Sequence, residues 1–242
     1  MALFLILAFL FPRQKVVGFL QKDSYINIIT GLAIFIVAKP IVFLLQKQLD
    51  IHLYTLPFES DVIRFFICFL LLDFLRYCLH FVHHRVHFFW QFHAVHHSSE
   101  YIDATSGLRM HVFDFLQLSM IPIFLFGILF DTTDFAPWVL PASLAIGVFF
   151  DSFQHANLKF RIDTPMGRVW HLFLNNPHFH VWHHIRHGDE RDGNYGNTLL
   201  IWDRMFGTDV TEEYVPAELG LKSFKALRNH PLYLQLLRKR EQ

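Results

Sequence analysis

Histidine is the most over-represented residue type in this chain, with 17 copies in 242 residues, and most of them fall into short clusters. The ranges 80–84, 93–97 and 180–184 read HFVHH, HAVHH and HVWHH. On a helix, residues three or four positions apart project from one face, so each cluster presents at least two imidazoles together. Neutral imidazole is the commonest transition-metal ligand in proteins. The spacing therefore predicts a metal centre.

Nine of the histidines are candidate ligands, made up of one helical pair, two triplets and a single residue that follows Asp151 by four positions. They are His80, His84, His93, His96, His97, His155, His180, His183 and His184. Nine nitrogens are too many for one tetrahedral zinc ion, which takes four ligands. They suit two metal ions with four or five nitrogen ligands each.

The remaining histidines are interpreted differently. Ordinary polar roles are expected for His52, His111, His171, His187 and His230. His83 and His87 stay open, because each is next to a cluster but outside its helical face. A solvated histidine-rich tract is disfavoured, because large apolar side chains such as Trp90, Phe92 and Trp182 interrupt the clusters, and buried imidazoles need partners.

Long apolar runs must position these histidines. The chain is 53% hydrophobic and only 17% charged, whereas a soluble domain is about 25% charged. Four runs approach the roughly 20 residues that cross a bilayer, at 25–46, 62–82, 112–130 and 135–157. The range 2–11 is too short to cross, and without a basic leader or a cleavage site it predicts an embedded or interfacial segment rather than a signal peptide.

Charge asymmetry gives the predicted orientation. Lys and Arg concentrate in 13–22, in 83–111 and after His155, which places these parts on the cytoplasmic side. Every histidine cluster shares that side, and His52 lies opposite. The sequence thus predicts an all-α, multi-pass membrane protein with about four spans and a histidine-rich cytoplasmic helical cap. The spans at 62–82 and 135–157 are expected to end together, so that their histidines face the two triplets.

The organisation predicts one domain over 1–242. It comprises N-terminal membrane segments (1–58), a catalytic region (59–210) and a C-terminal tail (211–242). Lys plus Arg equals Asp plus Glu at 21 each, so no basic footprint for nucleic acid is present. Cys68 and Cys78 lie ten residues apart on a predicted helix, about 15 Å, which is too far for a disulfide.

The clusters and their flanking residues resemble a known family. The ranges 73–84, 90–100 and 177–184 read DFLRYCLHFVHH, WQFHAVHHSSE and PHFHVWHH, and DGNYG and IWDRMFGT follow at 192–196 and 201–208. In this order they are similar to the histidine boxes of the fatty acid hydroxylase superfamily, also called the sterol desaturase family. Two departures are His83 and His87, which stand where other residues are usual. A third is Phe81, where the family often has Arg.

The resemblance implies a non-haem di-iron enzyme integral to the membrane. Such enzymes use O2 and two electrons to hydroxylate or desaturate a C–H bond of a fatty acyl, sterol or related lipid. The sequence contains no Walker A loop and no GxGxxG motif, so the electrons are expected from a separate electron-transfer protein or reductase. The expected location is the bacterial inner membrane, or the endoplasmic reticulum of a eukaryote.

Carboxylates are expected beside the metal, because neutral imidazoles leave the charge of two cations largely uncompensated. Asp73, Asp151 and Asp192 are the candidates, each accepting an N–H from a ligand imidazole. An unpaired carboxylate at membrane depth costs several kcal/mol, so Asp73 and Asp151 have an alternative role in pairing with Arg64 or Arg76.

Three other functions remain open from the sequence. A histidine-rich metal-binding or transport protein would place its ligands near the bilayer midplane on broken helices. A membrane b-type cytochrome would need axial histidines on facing helices and would not use HxxHH triplets. An inactive family member would keep the fold without the catalysis.

Overall fold

The computed structural model describes residues 1–15, 20–46, 52–185, 192–210 and 218–221. Within these ranges the chain is mostly helical, and its only β pairing consists of isolated bridges, which agrees with the all-α prediction. The helices are α1 (Ala2–Leu10), α2 (Lys22–Gln46), α3 (Asp61–Arg85), α4 (His87–His93), α5 (Val112–Phe115), α6 (Ile121–Leu129), α7 (Val139–Gln154), α8 (Pro165–Phe173), α9 (Pro177–His183) and α10 (Ile201–Phe206). A π-helical segment, Leu116–Met120, joins α5 to α6.

The observed helices only partly match the four predicted spans. Among the described residues, one continuous helix, Val112–Leu129, is long and apolar enough to cross a membrane. The run at 135–157 forms the shorter apolar helix α7, of 16 residues. This helix begins only at Val139, because Pro137 disfavours helical geometry at the residue before it.

Helix α3 is the centre of the fold. It packs most extensively along α7 and also contacts α4 and α6. A buried cluster of Cys68, Leu72, Phe126 and Val139 joins α3, α6 and α7. Cys68 and Cys78 are both free, as predicted. Because α3 and α7 carry candidate ligands at their C-terminal ends, this packing sets the distance between those ligands.

A buried arginine connects α2 to the loop that follows the first histidine triplet, at 93–97. The side chain of Arg109 is fully buried, and its Nη1 donates to Asp23 Oδ1 and Asn27 Oδ1 on α2, each at 3.2 Å. Its Nε donates to Ser98 Oγ at 2.9 Å. The backbone carbonyl of Arg109 faces His96 Nδ1 at 3.3 Å. Helix α2 thereby fixes the orientation of one candidate ligand.

Replacing Arg109 by methionine is expected to lower the free energy of unfolding by about 3 kcal/mol, because the change leaves Asp23 without its buried partner. Arg161→Met is the matched control, since the Arg161–Asp163 pair is 62% exposed on both sides and such pairs contribute little. Thermal unfolding in detergent measures both. Equal losses of stability would show that the buried connection is not important.

Candidate metal centre

The structure brings all nine candidate histidines together and divides them into two groups. The larger group consists of His80, His84, His93, His97 and His183, and the smaller of His96, His155, His180 and His184. Within each group the nearest ring nitrogens all lie within 4.8 Å of one another. The ring of His155 lies 5.2 Å from that of His184, so the end of α7 meets the last triplet as expected.

Helical periodicity explains how each triplet divides. His93 and His97 are four residues apart and join the larger group, whereas His96 turns to the smaller one. Likewise His180 and His184 stay together, and His183 crosses to the larger group. Each triplet lies where a helix ends, α4 at His93 and α9 at His183. Adjacent positions of a helical backbone diverge by about 100°, so one triplet supplies two neighbouring sites.

Polar side chains hold the last triplet in place. The side chain of Asn176 caps α9 by accepting hydrogen bonds from the backbone N–H groups of His178 and Phe179, each at 3.1 Å. Asn194 donates to the backbone carbonyl of Phe179 at 2.8 Å. Asn176 before this cluster and Asn194 after it therefore support the helix that carries it.

Hydrogen bonds at Nδ1 fix the orientation of several rings. Backbone carbonyls lie opposite the Nδ1 atoms of four imidazoles: Tyr195 O faces His80 (2.8 Å), Arg109 O faces His96 (3.3 Å), Asp151 O faces His155 (2.6 Å) and Gly193 O faces His183 (2.7 Å). A carbonyl oxygen only accepts hydrogen bonds, so each of these Nδ1 atoms carries the hydrogen. The lone pair of each neutral ring is then at Nε2, which points into the centre.

The Nε2 contacts test whether the residues fit a metal. His96 Nε2 lies 3.2 Å from His155 Nε2, and His80 Nε2 lies 3.0 Å from His93 Nε2. In the first pair both hydrogens are at Nδ1, so two lone pairs face each other without a hydrogen between them. Among the described residues, His183 Nε2 and both ring nitrogens of His84 are buried without a hydrogen-bond partner. A transition-metal cation would accept the lone pairs of these nitrogens. The residues are therefore suited to bind a metal.

Burial keeps the clustered histidines uncharged. Desolvation, reinforced by neighbouring imidazoles, holds the pKa of His96, His97, His180 and His184 well below its usual range. Burial lowers the pKa of His183 to about 3. These rings are therefore neutral at pH 7, the state in which imidazole binds a metal.

Asp114 is the carboxylate that the sequence analysis missed. It is fully buried, and both its oxygens lie 3.2 Å from His93 Nδ1. One of them also lies 3.5 Å from His83 Nε2. The available signal was an acidic residue inside the apolar run 112–130, where a carboxylate is expensive unless it is paired.

Two of the three predicted carboxylates lie near a candidate ligand. Asp151 Oδ1 is 3.6 Å from His155 Nδ1, although the backbone carbonyl of Asp151 makes the shorter contact with that atom. Asp192 Oδ1 is 3.8 Å from His84 Nδ1. Both distances exceed those of a good hydrogen bond.

Asp73 lies in a different environment from the one expected. Its carboxylate accepts hydrogen bonds from the backbone N–H groups of Thr198 and Leu199, each at 3.1 Å, and from Trp202 Nε1 at 2.9 Å. It therefore ties α3 to the segment that begins α10, instead of accepting from an imidazole. Three donors satisfy a carboxylate that is otherwise buried.

The other histidines have separate roles. His83 Nδ1 faces Leu79 O at 2.7 Å and its Nε2 faces Gln117 Oε1 at 2.9 Å, so this ring is satisfied outside both groups. His87 is exposed at the start of α4, and His111 caps α5. His52 contacts Gly127 O and His171 contacts Asn176. His187 and His230 lie outside the described residues.

Asp114→Ala is expected to weaken metal binding by about 10- to 100-fold, the usual effect of losing a carboxylate that orients a ligand histidine. Asp114→Asn should lose less metal affinity, because its amide oxygen can still accept a hydrogen bond from His93 Nδ1. Asp163→Asn, at an exposed carboxylate, is the control. Competition with a metal chelator measures the affinity, and equal affinities for Asp114→Ala and the control would refute this role.

A cavity of about 450 Å³ opens onto both histidine groups. Its wall includes His80 and His93 of the larger group and His96, His155 and His180 of the smaller. Most of the rest is apolar and comes from α2, α5 and the loop before it, the π-helical segment and α7, including Leu32, Phe35, Leu108, Phe115, Leu118 and Val148. An apolar molecule in this cavity would therefore lie against the imidazoles.

Comparison with known proteins identifies the family. The family model described as fatty acid hydroxylase matches residues 65–208, more than half of the chain. An alkylglycerol monooxygenase of Caenorhabditis elegans is 31% identical over 191 residues, which cover 74% of this chain and 33% of the relative. An ornithine lipid hydroxylase of Rhizobium tropici is 34% identical over 142 residues, which cover 56% of this chain and 38% of the relative. No solved structure matches the chain.

The matched range contains all nine candidate histidines and Asp114. The chain spans about a third of the length of the curated relatives it matches. The protein belongs to the fatty acid hydroxylase family.

Proposed function

We propose that this protein is a membrane-bound, non-haem di-iron oxidoreductase that uses O2 to hydroxylate or desaturate a C–H bond of a lipid. The observation that carries the proposal is the pair of histidine groups, with ring nitrogens directed inward, at the end of an apolar cavity. The relatives named alkylglycerol monooxygenase and ornithine lipid hydroxylase support a lipid as the substrate.

Each histidine group would hold one iron ion. His80, His84, His93, His97 and His183 would bind the first, and His96, His155, His180 and His184 the second. Bound iron would supply the redox chemistry that activates O2. Hydroxylation consumes one O2, two electrons and two protons, places one oxygen atom in the C–H bond and releases the other as water. Desaturation removes two hydrogens from the lipid, and both oxygen atoms leave as water.

The chain's own residues prepare this chemistry. Asp114 and the backbone carbonyls of Tyr195, Gly193 and Arg109 orient the imidazoles, so that the lone pairs converge without rearrangement. The apolar cavity wall excludes water from the reacting carbon. Electrons would come from a separate electron-transfer protein or reductase.

The proposed arrangement in the membrane keeps about four spans, at 25–46, 62–82, 112–130 and 135–157, with the metal centre facing the cytoplasm. Exposed apolar side chains on α1, α2 and α7, such as Phe9, Ile36 and Val148, support lipid contact. Helix α8 also exposes Met166 and Val169, so the cap would rest against the membrane surface. The membrane would be the bacterial inner membrane, or the endoplasmic reticulum of a eukaryote.

Isotope labelling tests the activity directly. Purified protein loaded with iron, supplied with an electron-transfer chain and a membrane lipid extract, is incubated under ¹⁸O2 and the lipids are analysed by mass spectrometry. We expect lipids that have gained one ¹⁸O atom or lost two hydrogens, in amounts that depend on the reductant. Unchanged lipids together with metal uptake by vesicles that contain the protein would replace this function with metal transport.

A further inference from the structure

A cation and an anion line the cavity one helical turn away from the candidate ligands. Arg76 precedes His80 by four residues on α3, and Asp151 precedes His155 by four residues on α7. Four residues of helix correspond to about 6 Å along the axis. The cavity therefore has a charged layer between the imidazoles and part of its apolar wall.

Neither charged group is saturated by the protein. The guanidinium of Arg76 makes no hydrogen bond within the described part of the chain. The carboxylate of Asp151 approaches a donor there only at His155 Nδ1, 3.6 Å away. The two side chains interact electrostatically, yet they do not lie within ion-pair distance of each other. Both side chains line the cavity, and 34% of the Asp151 side chain is exposed, so their free bonding capacity faces whatever occupies the cavity.

Two glycines in the cavity wall make room for these side chains. A Cβ at Gly147 would overlap Arg76 Nη1, and a Cβ at Gly107 would overlap Asp151 Oδ2. The guanidinium and the carboxylate can thus lie flat against the backbone of the wall. The space beside them stays available to a ligand.

The charges define which polar group would fit. Arg76 offers only hydrogen-bond donors and Asp151 only acceptors. Together they suit a group that both accepts and donates, such as a hydroxyl or an amide, whereas a free carboxylate or phosphate would be repelled by Asp151. Asn197 and Gln154, which also line the cavity, add further amide groups.

We propose that Arg76 and Asp151 form a head-group subsite, which binds an uncharged lipid head group through its hydroxyl or amide groups. The acyl or alkyl chain extends along Leu32, Leu118 and Val148. Because the subsite is only about one helical turn from the imidazoles, the oxidised carbon lies within a few bonds of the head group and not in the middle of the chain. This inference rests on the proposed function.

A matched pair of lipids tests the subsite in the wild-type protein. Tritiated 1-O-hexadecylglycerol carries two free hydroxyls, and its 2,3-di-O-methyl derivative has the same chain but no donors for Asp151. Binding is measured at equilibrium without O2, so no turnover is required. We expect the free glycerol lipid to bind about tenfold more tightly or better, the usual effect of a hydrogen bond to a charged group.

Variants distinguish the contribution of the head group to binding from the contribution of the alkyl chain. Arg76→Gln and Asp151→Asn should each remove most of the tenfold preference, while Leu32→Ala should weaken both lipids equally. Gly147→Ala displaces the guanidinium without removing its charge, so it should also reduce the preference and serves if Arg76→Gln fails to fold. Arg161→Gln, at an exposed site, should leave both affinities unchanged. Asp151→Asn keeps the backbone carbonyl that faces His155, so this variant should retain its iron. Iron content is measured for every variant to check that the metal centre is intact.

Product analysis completes the test. With O2 and an electron donor, mass spectrometry should locate the oxidation within a few bonds of the glycerol. Equal binding of the two lipids by the wild type, or oxidation in the middle of the chain, would overturn the subsite. A preference in binding without any oxidation would support the subsite and reject the proposed oxidoreductase function.

Discussion

Replacing His184 by alanine should remove about one of two iron ions per chain and lower lipid oxidation more than 100-fold. His184 belongs to the group of only four imidazoles, so three donors would remain. Loss of a residue that merely orients a ligand already costs 10- to 100-fold, and loss of the ligand itself should cost more. Iron per chain, measured by mass spectrometry, and turnover of a lipid substrate are the readouts.

The larger group provides an internal comparison. His80→Ala leaves four imidazoles in its group, so this variant should retain more iron than His184→Ala does. His87→Ala is the matched control, because His87 is exposed and belongs to neither group. His52→Ala and His230→Ala are also expected to keep both ions. If His87→Ala or His230→Ala lost as much iron as His184→Ala, the assignment of the ligands would be wrong.

Removing the metal should loosen the proposed cytoplasmic cap, which begins at Lys159, more than the proposed membrane spans. Without a cation, lone pairs of neighbouring imidazoles face each other at close range, as they do at His96 and His155. Metal binding contributes directly to folding where it connects separate segments, whereas lipid would still hold the proposed spans. Limited proteolysis with a chelator should therefore produce cuts between Lys159 and Arg204, at least tenfold faster than with metal. Equal resistance in both conditions would show that the histidines do not hold the cap together.

Acid should also make the protein more susceptible to proteolysis once a chelator has removed the metal. The pKa of His183 is lowered to about 3 in the folded protein, and an unfolded chain titrates near pH 6.5. The neutral ring then contributes stability that is complete above about pH 6.5 and decreases below it, because the unfolded chain takes up protons first. Cleavage of the chelated protein should be faster at pH 5 than at pH 7.5. Cleavage that does not depend on pH would contradict this.

The residues of the site were predictable because helical spacing is local. Four residues separate His80 from His84 and His93 from His97, and that spacing alone places each pair on one face. The spacing also predicted two sites with four or five nitrogens each, but which histidine joins which group was not predictable, because it depends on how α3, α7 and α9 meet in space.

The carboxylates show the limit of local reasoning. In the sequence Asp114 is an isolated acidic residue in an apolar run. Its contact with His93 is visible only in the tertiary structure. Asp73 adjoins the first histidine pair in the sequence, but its partners are more than 120 residues away. Spacing along one helix identifies which side chains point together, and it carries no information about distant backbone donors.

Two iron ions, one in each histidine group, are the expected metal content of the protein. The most direct measurement combines iron and zinc content per chain with the absorption spectrum of the purified protein. Two irons per chain, little zinc and no Soret band are the predicted result. A single metal ion per chain, zinc in place of iron, or a Soret band that indicates haem would contradict it.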